Sequence, residues 1–275
     1  MSKTQRKFEH LVKSLKKMER VLVAFSGGVD STFLLKVALD TLGWGNILAV
    51  TADSQTYPQA ERKETLCLAK NMGLNGRHRI IKTTELKIKG FSDNPQDRCY
   101  HCKFELFSRL KKIARENKIP YVLDGSNYSD RKDYRPGRIA LDKLGIRSPL
   151  LESGLTKEEI RTLSKKLKLP TWNKPAFACL SSRIPYGEKI TPEKLKRIER
   201  AENFLHNAGF TQLRVRDHKG IARIELESKE LKRMLLNEKL RKKIADKLKG
   251  LRFNYVTLDL LGYRTGSLNE VLERK

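Results

Sequence analysis

The chain has 275 residues, enough to bury a core and to form one medium domain with a smaller companion. Hydrophobic residues make up 39% and charged residues 33%, and 58 Lys and Arg against 32 Asp and Glu give a formal charge of +26. No apolar run approaches the roughly 20 residues of a membrane helix, and no apolar stretch or cleavage site follows the basic start Met1–Lys7, so neither a membrane span nor secretion is expected and the cytoplasm is.

Taken in chain order, an amphipathic basic helix is expected over Thr4–Met18, with Phe8, Leu11, Val12 and Leu15 on one face. Val21–Phe25 is a continuous apolar run, the mark of a buried parallel strand. A glycine turn follows, then a helix over Ser31–Leu42 ended by Gly43, a strand Ile47–Thr51, a helix Tyr57–Met72 and a strand His78–Lys82. A helix over Cys99–Asn117 turns Phe104, Phe107, Leu110 and Ile113 inward, and Tyr121–Asp124 is a fourth strand. Strands alternating with helices predict an α/β fold, a parallel sheet covered on both faces, with ligands beyond the carboxyl ends of its strands. The loops after Phe25, Thr51 and Asp124 then share one rim. Thr156–Glu159 reads as a capping box opening a helix to about Leu167. Beyond Pro170–Pro175 the pattern changes. A helix starts at Thr191-Pro192, Leu213–Asp217 and Ile221–Glu227 form a hairpin, and two lysine-rich helices and a strand Tyr255–Leu260 follow. The expected domains are 1–180 and a smaller α+β domain over 181–275.

The sharpest motif is Ser26-Gly27-Gly28-Val29-Asp30-Ser31, between the first strand and its helix. The glycines let successive N–H groups turn toward an anion, and the helix adds its free amides and positive dipole end. Ser26, Ser31 and Thr32 offer hydroxyl donors, and Asp30 can hold Mg²⁺ against phosphates. Neither the Walker ending nor G-x-G-x-x-G is present. The loop resembles the pyrophosphatase-loop (PP-loop) ATPases, such as GMP synthetase, NAD synthetase and the tRNA thiolation enzymes. That resemblance implies cleavage of ATP to AMP and pyrophosphate, with Ala24, Thr51, Ala52 and Asp53 lining the adenosine pocket.

Four cysteines are too few for a disulfide scaffold and are expected as core residues, metal ligands or reactive thiols. Cys67 reads as helix packing. Cys99 and Cys102 form a C-x-x-C at a helix start, where the dipole lowers thiol pKa; alone it could be half a zinc site, a redox pair or chance. Cys179 lies in the segment between the expected domains, and three thiolates can hold a [4Fe–4S] cluster with one iron open. Ser26–Ser31, Asp124-Gly125-Ser126-Asn127, Asp133–Gly137, Cys179–Arg183 and Arg214-Val215-Arg216 together resemble the LarE family over most of the chain. The resemblance implies an ATP-dependent sulfur transferase of nickel-pincer cofactor biosynthesis. Such enzymes adenylate the carboxylates of pyridinium biscarboxylic acid mononucleotide and convert them to thiocarboxylates. In one branch the cysteine matching Cys179 gives up its own sulfur, and in another three cysteines hold an iron–sulfur cluster. Cys99, Cys102 and Cys179 place this sequence with the cluster branch, and the resemblance also implies a homo-oligomer.

Arg135, Arg183, Arg214 and Arg216 are the candidates to bind the anionic mononucleotide, because guanidinium forks suit phosphate and carboxylate. Arg214 and Arg216 alternate on a strand and share a face. Asp130, Asp133, Glu202 and Glu225 are weaker polar or Mg²⁺ candidates, and Trp172 is expected to pack the hinge. The net charge favours anionic partners, but the lysines and arginines are dispersed over what read as solvated helix faces, so nucleic acid is not the favoured partner. A tRNA sulfur transferase would share the loop and the cysteines, but no paired C-x-x-C zinc module is present.

Overall fold

The computed structural model describes residues 1–132, 136–175 and 178–272, and the chain divides into two compact units. The first comprises Met1–Ile88 and Asp97–Phe177, the second Lys89–Gln96 and Ala178–Lys275.

In the first unit the apolar runs form a four-stranded parallel sheet of β1 (Val21–Ala24), β2 (Ile47–Asp53), β3 (His78–Lys82) and β4 (Tyr121–Leu123), in the order β3-β2-β1-β4. Every connection is a crossover, so the helices α1 (Lys3–Lys16), α2 (Val29–Leu42), α3 (Gln59–Asn71) and α4 (Arg98–Glu116) fall near their expected spans. The two-residue pleat sorts the strand residues onto two cores. Val21, Val23, Ile47 and Ala49 pack with Leu11 and Leu15 of α1 and Phe33, Leu34 and Leu35 of α2. Leu22, Leu48 and Val50 face the other way, onto Phe107 and Leu110 of α4. Two short helices not expected from the pattern follow β4, namely α5 (Pro136–Lys143) and α6 (Pro149–Glu152). α7 (Lys157–Lys166) starts on the expected capping box: Glu159 N–H donates to Thr156 Oγ1 and Thr156 N–H to Glu159 Oε2. In α3 the buried positions are Thr65, Leu68 and Ala69, and Cys67 lies exposed, so the expected core role of Cys67 is overturned by helical phase. Trp172 lies beside Lys165 of α7, whose ammonium is 4.7 Å from the ring centre.

In the second unit α8 (Pro192–Asn207) packs on a three-stranded sheet of order β5-β6-β7. β5 (Leu213–His218) and β6 (Ile221–Leu226) pair antiparallel from Leu213–Leu226 to His218–Ile221. The turn residues Lys219 and Gly220 both have positive φ, 50° and 89°, as a two-residue type I′ hairpin requires. β7 (Tyr255–Leu258) runs parallel to β6, because α9 (Ser228–Leu236) and α10 (Glu238–Gly250) carry the chain back across the sheet. Among the described residues, no helix is long and apolar enough to cross a membrane.

Candidate functional site

β1 leads into the phosphate loop, and the loop's shape follows from its glycines. Gly27 has φ +69°, and a Cβ there would lie 2.2 Å from Thr65 Oγ1. Only glycine fits both the backbone and the neighbour. Thr65 Oγ1 donates to Glu61 O at 2.8 Å, and Tyr57 Oη donates to Ser26 O at 2.5 Å, fixing the outer side of the loop. On the inner side Ser31 Oγ accepts from Ser26 N–H at 3.3 Å and stands 3.1 Å from Ser26 Oγ. Gly28 occupies the N-cap of α2 and supplies no capping side chain, so the N-cap covers none of the first-turn amides.

The carboxyl ends of the sheet complete a cleft of about 440 Å³. Ala24, Ser26, Gly28, Asp30 and Ser31 line it from the loop, Thr51 and Ala52 from β2, and Asp124, Gly125, Ser126 and Asp130 from the loop after β4. The three loops expected to share one rim therefore meet. Thr51 Oγ1 donates to Phe25 O at 2.7 Å and stands 2.8 Å from His78 Nε2. Thr51 has one proton to give, so His78 Nε2 is the donor in that contact. Burial lowers the His78 pKa, favouring the neutral ring. Gly125 closes on α2: a Cβ there would stand 3.1 Å from Ser31 N. Asp124 accepts from Ser148 Oγ at 2.5 Å and Ser126 Oγ at 2.6 Å, with Lys103 Nζ 3.7 Å away. Asp53 ends β2 in an ion pair with Arg62 at 3.2 Å.

Asp30 has two unlike oxygens. Oδ2 accepts from Lys157 Nζ at 2.6 Å, whereas Oδ1 is buried with no hydrogen bond of normal geometry, and the Asn127 side chain is a further polar neighbour of the carboxylate. Burial raises the Asp30 pKa, and the Lys157 ammonium opposes that rise. A buried carboxylate oxygen so placed beside a phosphate-binding loop fits a divalent cation such as Mg²⁺, which takes one or two carboxylates and completes its shell with phosphate and water. Lys157, Lys103, Tyr57 and Lys174 were not singled out by sequence. Lys174 bridges the loop to α3, donating to Gly27 O at 3.4 Å and pairing with Glu61 at 2.6 Å and Glu64 at 2.7 Å.

The cysteines divide between the units. Cys99, exposed, and Cys102, half-buried, sit at the start of α4 in its first and second turns, about one turn apart as their spacing requires. His101 Nε2 stands 3.5 Å from Asp97. Helix α5 presses on this turn through Gly137, where a Cβ would meet Lys103 Cδ at 2.8 Å and Cys99 O at 3.3 Å. Cys179, half-buried, belongs to the second unit. Among the described residues, no group of three or more His, Cys, Asp or Glu side chains is placed to hold a metal ion.

The arginine candidates behave differently from one another. Arg183 is 2% exposed, and its Nε and Nη2 donate to Glu202 at 3.0 and 3.1 Å. Arg216 is 5% exposed and forks onto Glu225, with Nη1 donating to Ser182 O at 2.7 Å. Glu202 and Glu225 thus serve as internal counter-ions. Arg214 is half-buried, with its guanidinium 5.2 Å from the centre of the Tyr263 ring. Burial and the Arg183 charge lower its pKa. Arg135 and Asp133 lie outside the described residues.

Comparison with known proteins gives a consistent picture. Residues 1–98 match the PP-loop domain family. A pyridinium-3,5-bisthiocarboxylic acid mononucleotide synthase of Lactiplantibacillus plantarum is 40% identical over 265 residues, covering 96% of this chain and 94% of its own. An uncharacterized protein of Synechocystis sp. is 42% identical over 268 residues, 98% of both chains. A glutamine-hydrolyzing GMP synthase of Bdellovibrio bacteriovorus is 26% identical over 204 residues, 67% of this chain and 40% of that one.

Proposed function

The chain belongs to the LarE family of PP-loop, ATP-dependent enzymes, and we propose that it converts carboxylates of pyridinium biscarboxylic acid mononucleotide to thiocarboxylates. The observation that carries this reading is the near full-length likeness to a synthase whose name states the bisthiocarboxylic product. A carboxylate is a poor electrophile. Its oxygen attacks the α-phosphorus of ATP, pyrophosphate leaves, and the acyl-adenylate so formed has AMP as a leaving group. A sulfur nucleophile then adds to the carbonyl carbon, and AMP departs with the former carboxylate oxygen.

The phosphates belong on the Ser26–Ser31 loop and the α2 amides, with Mg²⁺ on Asp30. Arg214, on the face it shares with Arg216, is the residue we assign to an anionic group of the substrate, with Arg135 its further candidate. For the sulfur source we assign Cys99, Cys102 and Cys179 to a [4Fe–4S] cluster, three thiolates being a donor set that such a cluster accepts. In a second reading Cys179 gives up its own sulfur.

One experiment tests both levels. Protein made without oxygen is incubated with ATP, Mg²⁺ and the mononucleotide, and pyrophosphate, iron and the mass of the Cys179 peptide are measured. Substrate-dependent pyrophosphate release, about four irons per chain and an unchanged Cys179 are expected. Dehydroalanine at Cys179 with no iron bound would transfer the sulfur role to Cys179 alone. No pyrophosphate release would sink the adenylation reading.

A further inference from the structure

Two side chains that do not belong to the phosphate loop reach two of its carbonyls. Tyr57 Oη donates to Ser26 O at 2.5 Å, and Lys174 Nζ donates to Gly27 O at 3.4 Å. Both start from anchored ground. Tyr57 stands just before α3, whose Thr65 Oγ1 lies 3.2 Å from the same Ser26 oxygen. Burial raises the Tyr57 pKa, so the hydroxyl keeps the proton that it gives. The Lys174 side chain is 11% exposed, and its ammonium pairs with Glu61 at 2.6 Å and Glu64 at 2.7 Å, both on α3. Its backbone is pinned as well: Arg161 of α7 donates to Trp172 O at 2.9 Å and to Lys174 O at 2.7 Å.

These contacts fix the direction of two peptide planes. Among the described residues no peptide bond is cis, and across a trans peptide the N–H points opposite to the C=O. With the Ser26 carbonyl turned to Tyr57 and Thr65, the Gly27 N–H points away from both. With the Gly27 carbonyl turned to Lys174, the Gly28 N–H points away from the ammonium. Among the described residues, neither amide donates to a backbone carbonyl, while Ser26, Gly28 and Tyr57 all line the adenylation cleft. A glycine loop needs such holds. The freedom that gives Gly27 its φ of +69° also lets the neighbouring peptides turn over, and a turned peptide would meet a phosphate with its oxygen.

We propose that Tyr57 and Lys174 are positioning residues for the pyrophosphate part of the nucleotide: each holds one loop peptide by its carbonyl and so aims the next amide, of Gly27 and of Gly28, at the phosphates. The proposal rests on the adenylation reading and adds to it two residues that act through the backbone. Lys174 is not itself a phosphate ligand, because two carboxylates already neutralise its single charge. Its three donors go to Glu61, Glu64 and the Gly27 carbonyl, which leaves none for a ligand. The loop, α3 and the segment after α7 thereby form one frame, and the amides are set before the nucleotide arrives.

The test uses the full chain and reads the amides themselves. Gly27-Gly28 is the only Gly-Gly pair in the sequence, so glycine labelled with ¹³C at the carbonyl and ¹⁵N at the amide isolates the Gly28 N–H in a carbonyl-filtered NMR spectrum. Serine labelled at the carbonyl with glycine labelled at the amide selects Gly27, together with Gly154 after Ser153. Both loop amide protons should move downfield when Mg·pyrophosphate is added to wild type. The Gly27 shift should shrink in Tyr57→Phe and the Gly28 shift in Lys174→Met. Each variant should bind Mg·pyrophosphate about fivefold more weakly, the worth of one hydrogen bond, and AMP as wild type does. Unchanged shifts and pyrophosphate affinity in Tyr57→Phe would overturn the proposal. Equal losses of pyrophosphate and AMP binding in that variant would also overturn it, since the tyrosine would then only hold the site together. Should Lys174→Met not fold, Tyr57→Phe, which removes a single oxygen, decides alone. Failure of wild type to bind Mg·ATP would instead bring down the adenylation reading beneath it.

Discussion

Gly27→Ala is the substitution whose consequences the structure defines most closely. The new methyl would stand 2.2 Å from Thr65 Oγ1, 3.0 Å from Thr65 Cβ and 3.2 Å from Thr65 Cα. Two separate costs follow. A non-glycine residue at φ +69° pays about 1–2 kcal/mol for the left-handed backbone whatever its neighbours. The overlap forces Thr65 to move, and its Oγ1 is a buried donor to Glu61 O that also lies 3.2 Å from Ser26 O. Losing that arrangement costs about a further 1–3 kcal/mol, so Gly27→Ala should lose roughly 2–5 kcal/mol. In a Thr65→Ala background the 2.2 Å contact is gone, but the contacts at 3.0 Å to Cβ and 3.2 Å to Cα stay with the backbone cost, so the same glycine substitution should cost less than in wild type and more than the roughly 1–2 kcal/mol of the backbone alone. Urea denaturation of the four proteins yields the coupling directly. If the two substitutions add within about 0.5 kcal/mol, the steric reasoning for this loop is wrong. Pyrophosphate release should fall with the loop geometry in both glycine variants.

Three further outcomes are expected. Arg216→Ala leaves the buried Glu225 with Arg223, at 2.9 Å, and Ser267 as its remaining partners, and should destabilise the second unit by about 3 kcal/mol, the low end for a broken buried pair, visible as a lowered midpoint in denaturant. Arg214→Ala should weaken mononucleotide binding at a smaller cost in stability than Arg216→Ala, because Arg214 is only half-buried, beside the Tyr263 ring; equal stability losses in the two variants would refute the distinction. The Glu159 pKa lies at about 2, lowered chiefly by the Lys7 hydrogen bond against the opposing effect of burial. Its folded value is thus below its ordinary one, so its stabilisation is present above about pH 4.5 and is lost as the pH falls toward 2. With solvent screening this amounts to about 1 kcal/mol, and Glu159→Gln should flatten the acid limb of the stability curve by that amount.

The fold was legible wherever a local rule determined it. Val21–Ala24 is buried on both faces and reads as apolar throughout, the Thr156–Glu159 cap forms as written, and the Ser26–Ser31 loop sits between strand and helix. What escaped depends on partners distant in sequence. Arg183 and Arg216 look like free anion receptors until Glu202, 19 residues on, and Glu225, nine residues on, are found facing them. Lys157 is legible as part of a capping box, but its partner Asp30 is 127 residues away. Asp133–Gly137 entered only as a motif, yet Pro136 starts α5, and Gly137 is there because α4 leaves no room for a Cβ. The parallel pairing of β7 was hidden because a strand's own residues do not state its direction.

These buried arginines also account for the setting of Cys179. Its carbonyl accepts from Ser182 N–H at 3.0 Å, Ser182 Oγ at 2.8 Å and Arg183 Nη1 at 3.0 Å. The same nitrogen donates to Ala178 O at 2.5 Å, while the other two guanidinium nitrogens fork onto Glu202. Arg216 grips the turn from its other end through Ser182 O, and donates to Ser267 Oγ at 2.6 Å as well as to Glu225. Five N–H donors in a rigid plane can satisfy a carboxylate and two carbonyls together; a lysine ammonium cannot span them. Each carboxylate therefore neutralises an arginine, and the two arginines clamp the turn Leu180–Arg183 that follows the cysteine. On either sulfur route the Cys179 thiol starts from a backbone that is fixed before the substrate arrives, and a reaction governed by proximity gains from that order only if the clamp is complete.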